Sequence, residues 1–140
     1  MKYSHNGLEF DVEVEWLEKS GVRNFVPESS SYIPDESKVE GKEIFYVLLN
    51  DIEPLKERAS SKGVFCADDK SSAEERVLRL LRWFVAGESV EPVRVVCNEE
   101  GDKYKYRLTE GCHRLHCSIV VGFTGIPAVE GFDINALDRK

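Results

Sequence analysis

The stretch from Tyr104 to Pro127 constrains this chain most. Tyr104, Tyr106 and Leu108 alternate with polar residues as a half-buried strand does. The alternation breaks at Glu110-Gly111, a helical pattern runs from Cys112 to Val121, and Gly122 and Gly125 lead into the apolar segment Ile126-Pro127-Ala128-Val129. Just upstream, Pro92 to Cys97 reads as a strand and Asn98 to Asp102 as a turn, with Lys103 to Thr109 as the hairpin partner. Pro127 marks an edge or strand-start position, because proline has no N–H to give to a ladder. A hairpin, a helix and a further strand in so short a span imply an α+β class: a compact domain with a small mixed sheet packed with helices.

The start of that helix also carries the most reactive chemistry in the chain. The first N–H groups of a helix are unpaired within it and the helix dipole is positive there, so an anion is favoured. Gly111 permits an unusual backbone angle and a close ligand approach, and Arg114 can fork two hydrogen bonds to a phosphate. The same field favours a Cys112 thiolate, with His113 beside it as a further donor. Gly111, Cys112, His113 and Arg114 are therefore the candidate phosphate-binding residues, and Cys112 is a candidate nucleophile.

With 140 residues, 41% of them hydrophobic, the chain is expected to form a single domain with a real core. The apolar runs Phe45–Leu49 and Ile119–Phe123 are far too short to span a bilayer, and no apolar secretory segment follows Met1-Lys2, so the expected location is the cytoplasm. A net charge of -7 opposes binding to duplex DNA, which draws its affinity from Lys and Arg. The acidic excess lies upstream; residues 90 to 140 are nearly balanced, with eight acids and seven bases. Cys66, Cys97, Cys112 and Cys117 contain no CxxC pair and are expected as reduced thiols, Cys66 and Cys97 as small apolar side chains.

Leu8 to Trp16 alternates apolar and acidic residues and reads as one amphipathic strand, with Glu9, Asp11, Glu13 and Glu15 on its solvent face. Pro27 to Val39 reads as loop, and the apolar run Glu43–Leu49 as a strand covered on both faces. Polar Leu55 to Lys70 is a candidate lid whose Asp68-Asp69 pair could hold Mg2+ beside a nucleotide. Ser72-Ala73-Glu74-Glu75 is a capping box opening an amphipathic helix that Gly87 closes; Ala73, Val77, Leu80, Leu81, Phe84 and Val85 form its buried face. Arg76, Arg79 and Arg82 then fall on the opposite, solvated side.

The order helix, strand, turn, strand, Gly-Cys-His-Arg, helix, Gly, Ile-Pro-Ala resembles the superfamily that joins sulfiredoxins with the N-terminal domains of ParB-type partition proteins. The likeness covers roughly 43 to 129, leaving 1 to 40 as an N-terminal extension, and is most specific in YKYRLTEGCHRLHCSIVVGFTGIPA. It implies ATP with Mg2+, Cys112 as nucleophile in a sulfiredoxin-like oxidoreductase acting on a peroxiredoxin-like partner, and His113 and Arg114 on the phosphates. Arg76 stands nearest to the family's phosphate-binding Lys. Phosphoryl transfer, as in related free-serine kinases, is the other activity the resemblance implies; an upstream acid such as Asp51 or Glu53 is then the alternative to Cys112 as the group that acts chemically. Glu53 replaces the usual Arg before Pro, and Glu110 replaces the Gly before the box.

Two other readings come from the residues. A non-catalytic module could use its acidic strand to meet a basic protein, and a ParB-like accessory role near DNA is disfavoured by charge. Cys112 and His116 share a helix face at i, i+4, but Cys117 points elsewhere, so no metal site is expected and His116 and Cys117 read as core or groove residues.

Overall fold

The computed structural model describes residues 1–55 and 70–131. The architecture is mixed α+β. Strands β1 (Lys2–His5) and β2 (Leu8–Asp11) form an antiparallel hairpin, followed by helix α1 (Val14–Ser20). The two-residue strand β3 (Ile33–Pro34) pairs in parallel with β5 (Ser89–Val90). The main sheet has the order β4 (Phe45–Leu48), β8 (Gly125–Glu130), β6 (Val93–Cys97), β7 (Tyr106–Glu110). Helix α2 (Lys70–Ala86) precedes β5, and helix α3 (Cys112–Val121) connects β7 to β8.

The β6–β7 hairpin and the span of α3 follow the sequence pattern, although β7 begins at Tyr106 rather than Lys103 and includes Glu110, and Gly122 caps α3 with φ of 102°. Several expectations do not hold. The alternation from Leu8 to Trp16 is strand only to Asp11; from Val14 the chain is helical. Trp16, Leu17 and Ser20 are buried on one helix stripe, and Val14 turns out to solvent at 42% exposure. The first 40 residues thus hold three strands and an α-helix rather than one strand, with β3 and a 3-10 turn at Glu36–Lys38 in the region read as loop.

Strand β4 is an edge, not a strand covered on both faces: Val47 is buried while Tyr46 and Leu48 are 63% and 59% exposed. Pro127 lies in the interior strand β8, where pairing with β6 begins only at the next residue, Ala128. Helix α2 starts two residues ahead of the Ser72 capping box and ends at Gly87, φ 76°. Leu80 and Val85 are only half-buried, and Cys97 is exposed rather than packed as a small apolar side chain. The lid reading of Leu55 to Lys70, with Asp68-Asp69 and Cys66, falls almost wholly outside the described residues. Among those described, no helix is long and apolar enough to cross a membrane.

The core lies between the sheet and the helices. Leu115, Cys117, Ile126, Ala128, Val93 and Val95 pack there with Val77, Leu81 and Phe84 of α2, and with Phe10, Trp16 and Leu17 from the first 20 residues. The N-terminal hairpin is pinned at its turn, where Asn6 Nδ2 donates to the carbonyls of Asn50 and Ile52 at 3.2 and 2.7 Å.

Candidate functional site

Gly111 opens α3 with φ of 112°. A Cβ at this position would lie 2.6 Å from Val93 Cγ1. Glycine is thus required both by the backbone angle and by the closeness of α3 to β6; its bare α-carbon makes room for Val93.

Arg114, one turn into the helix, does not present an open fork to a ligand. Its Nη1 donates to the main-chain carbonyls of Glu91 and Pro92 at 3.1 and 2.7 Å, and its Nη2 lies 3.4 Å from Glu110 Oε1. The Glu91 carboxylate is 3.5 Å away, and the Arg114 side chain is only 14% exposed. The Glu91 carbonyl also accepts from Tyr32 Oη at 2.7 Å, so Arg114 and Tyr32 together fix the entry into β6. The expectation of a phosphate-forking Arg114 is corrected accordingly: its donors are engaged in joining α3 to β6.

Cys112 is half-buried, with its Sγ 3.6 Å from His116 Nδ1. His116 Nδ1 also lies 2.8 Å from the Cys112 carbonyl. A carbonyl oxygen only accepts, so Nδ1 carries the proton and donates it. That tautomer can stabilise a thiolate but cannot take the thiol proton through the same nitrogen. Cys117 is fully buried, and burial, reinforced by nearby Cys112, pushes its thiol pKa far up, so it stays protonated.

A cleft of about 830 Å³ opens at this helix start. Its walls bring Gly111, Cys112, His113 and Arg114 together with Arg76, Arg79, Leu80 and Trp83 of α2, and with Asp35, Lys38, Glu91, Thr109 and Glu110. Four cationic side chains against three carboxylates give the lining a formal charge of +1, on a chain whose net charge is -7. The carboxylates have partners: Glu91 and Glu110 face Arg114, Glu110 also meets Arg94 at 3.3 Å, and Asp35 accepts from Ser37 N and Oγ at 3.1 and 2.6 Å. Those Ser37 hydrogen bonds hold the Asp35 carboxyl below its ordinary pKa. Arg76 and Lys38 are both exposed, and Lys38 also acts on the Asp35 carboxylate through its charge.

Of the expected site residues, Arg76 joins the helix start in the cleft, whereas Asp51 and Glu53 do not line it. The Glu53 N–H donates to the Tyr106 carbonyl at 2.9 Å, which stitches that loop to the outer side of β7 and leaves the Glu53 side chain exposed. The sequence reading missed Arg79 and Trp83 as cleft residues, although Arg76, Arg79, Leu80 and Trp83 recur at helical spacing on one face of α2. Lys38 and Asp35 gave no signal, since their place depends on β3 pairing with distant β5. Among the described residues, no group of three or more His, Cys, Asp or Glu side chains could hold a metal ion. Comparison of the chain with family models, curated proteins and solved structures finds no match in any of the three.

Proposed function

We propose that the protein binds a nucleotide in the cleft between α2 and the start of α3, as a ParB/sulfiredoxin-like domain acting by phosphoryl transfer. One observation carries the reading: a cleft of about 830 Å³ coincides with the Gly-Cys-His-Arg helix start and carries surplus positive charge on an acidic protein. Arg76 and Lys38 are the phosphate-holding side chains in this arrangement, with Arg114 setting the wall behind them. Mg2+ would accompany the nucleotide and shield its phosphates. Phosphoryl transfer is favoured over thiol chemistry because the His116 proton faces Cys112 from the nitrogen that a general base would need.

Isothermal titration with ATP, ADP and CTP in Mg2+ tests the reading. At least one nucleotide binds the wild type, and Arg76→Glu weakens it tenfold or more; heat from none of the three removes the proposal. Cys112→Ser retains phosphate release under phosphoryl transfer and loses it under a thiol mechanism.

The carboxylates of Glu91 and Glu110 beside Arg114 favour a second reading, a non-catalytic module that meets a basic protein through the acidic residues at the start of α1. In that case, association with the basic partner survives Arg76→Glu and fails after charge reversal at Glu13 and Glu15, both exposed.

A further inference from the structure

Trp83 stands out on the cleft wall: a large aromatic residue 42% exposed, on the same face of α2 as Arg76 and Arg79. The Arg79 guanidinium lies over its ring, with Cζ 6.0 Å from the centroid. That separation exceeds van der Waals contact, about 3.5–4 Å, so the guanidinium covers the ring loosely. Its other tie is an ion pair to Glu75 at 3.3 Å in which both side chains are more than half exposed, and such a pair is easily given up.

We infer that Trp83 is the platform on which the heteroaromatic base of the ligand stacks, with Arg79 closing over the opposite face of the base. The inference rests on the nucleotide reading of the cleft and adds what distinguishes a nucleotide from any other polyphosphate. A planar π-system between an indole and a guanidinium gains from stacking on one side and from cation–π attraction on the other. The phosphates then extend along Arg76 and Lys38 toward the α3 end. Recognition by stacking tolerates different bases, so the platform selects for the presence of a base more than for its identity.

Titration calorimetry with ATP and with inorganic tripolyphosphate, both in Mg2+, measures the contribution of the base. ATP binds roughly 5- to 100-fold tighter than tripolyphosphate, the range that stacking of one base on an aromatic ring gives. Trp83→Leu brings the ATP affinity down to that of tripolyphosphate and leaves tripolyphosphate unchanged, and Trp83→Tyr retains most of the preference. Trp16, buried in the core, reports by its emission that each variant is folded. Equal affinities for ATP and tripolyphosphate, or an equal loss of both in Trp83→Leu, overturn the platform while the phosphate site stands. Binding of neither probe overturns both.

Discussion

The Arg114 guanidinium illustrates how a residue type suited to ligand recognition can serve the fold. Its charge-assisted bonds to the Glu91 and Pro92 carbonyls are partly buried, whereas its pairing with Glu91 and Glu110 reaches further into solvent, where those carboxylates are 39% and 54% exposed. The carbonyl bonds therefore supply most of the stabilisation. Arg114→Ala lowers the unfolding free energy by about 2–4 kcal/mol, the scale for uncovering buried partners of a charged donor. Arg114→Lys recovers only part, because an ammonium cannot reproduce the fork. Urea denaturation is the measurement; a change within about 0.5 kcal/mol for Arg114→Ala would instead mark the side chain as free for a ligand.

Elements that declared themselves by strong local signals were legible in advance. The α3 helix between Gly111 and Gly122 and the β6–β7 hairpin needed only periodicity and glycine. The N-terminal hairpin had such a signal in Asn6-Gly7, both at positive φ, a pairing that suits a two-residue turn. It was overshadowed by the long alternation after it, which fits a strand by period yet ends at Asp11, because Trp16, Leu17 and Ser20 find burial only as a helix stripe. The cleft was half legible: the helix start followed from motif and spacing and Arg76 from the family resemblance alone, while Lys38 and the engagement of Arg114 depend on contacts between remote segments. His5, at the end of β1, is 3% exposed, with its Nε2 2.8 Å from the Leu49 carbonyl and its ring centroid 6.2 Å from that of His116. Burial lowers the His5 pKa against the smaller opposing effect of the Leu49 bond. Because the folded value lies below the unfolded value of about 6.5, its stabilising effect is complete above that pH and is lost as pH falls through the folded value. Thermal melts should therefore show a declining midpoint from about pH 6.5 downward, and His5→Gln, which keeps a donor for Leu49, should flatten that decline.

Across the whole molecule, charge and packing divide the surface from the interior in an unequal way. The chain is strongly acidic, yet the cleft at the start of α3 is slightly cationic, so the nucleotide proposed above would approach against the long-range field and be held by short-range contacts. Raising NaCl from about 0.05 to 0.5 M screens both and should weaken ATP binding, as attraction at the cleft is the larger effect at contact distance. Calorimetry at the two salt concentrations decides, and tighter binding at high salt would show that repulsion dominates. Phe10, Val12, Trp16, Leu17 and Val22 belong to the same apolar cluster as Leu115 and Ile126, and Asn6 grips the chain where it leaves β4. Anyone trimming this protein to residues 43 onward should expect an insoluble product: the cut takes away the floor on which the remaining helices rest, and the first dozen residues behave as the clasp that keeps the whole closed.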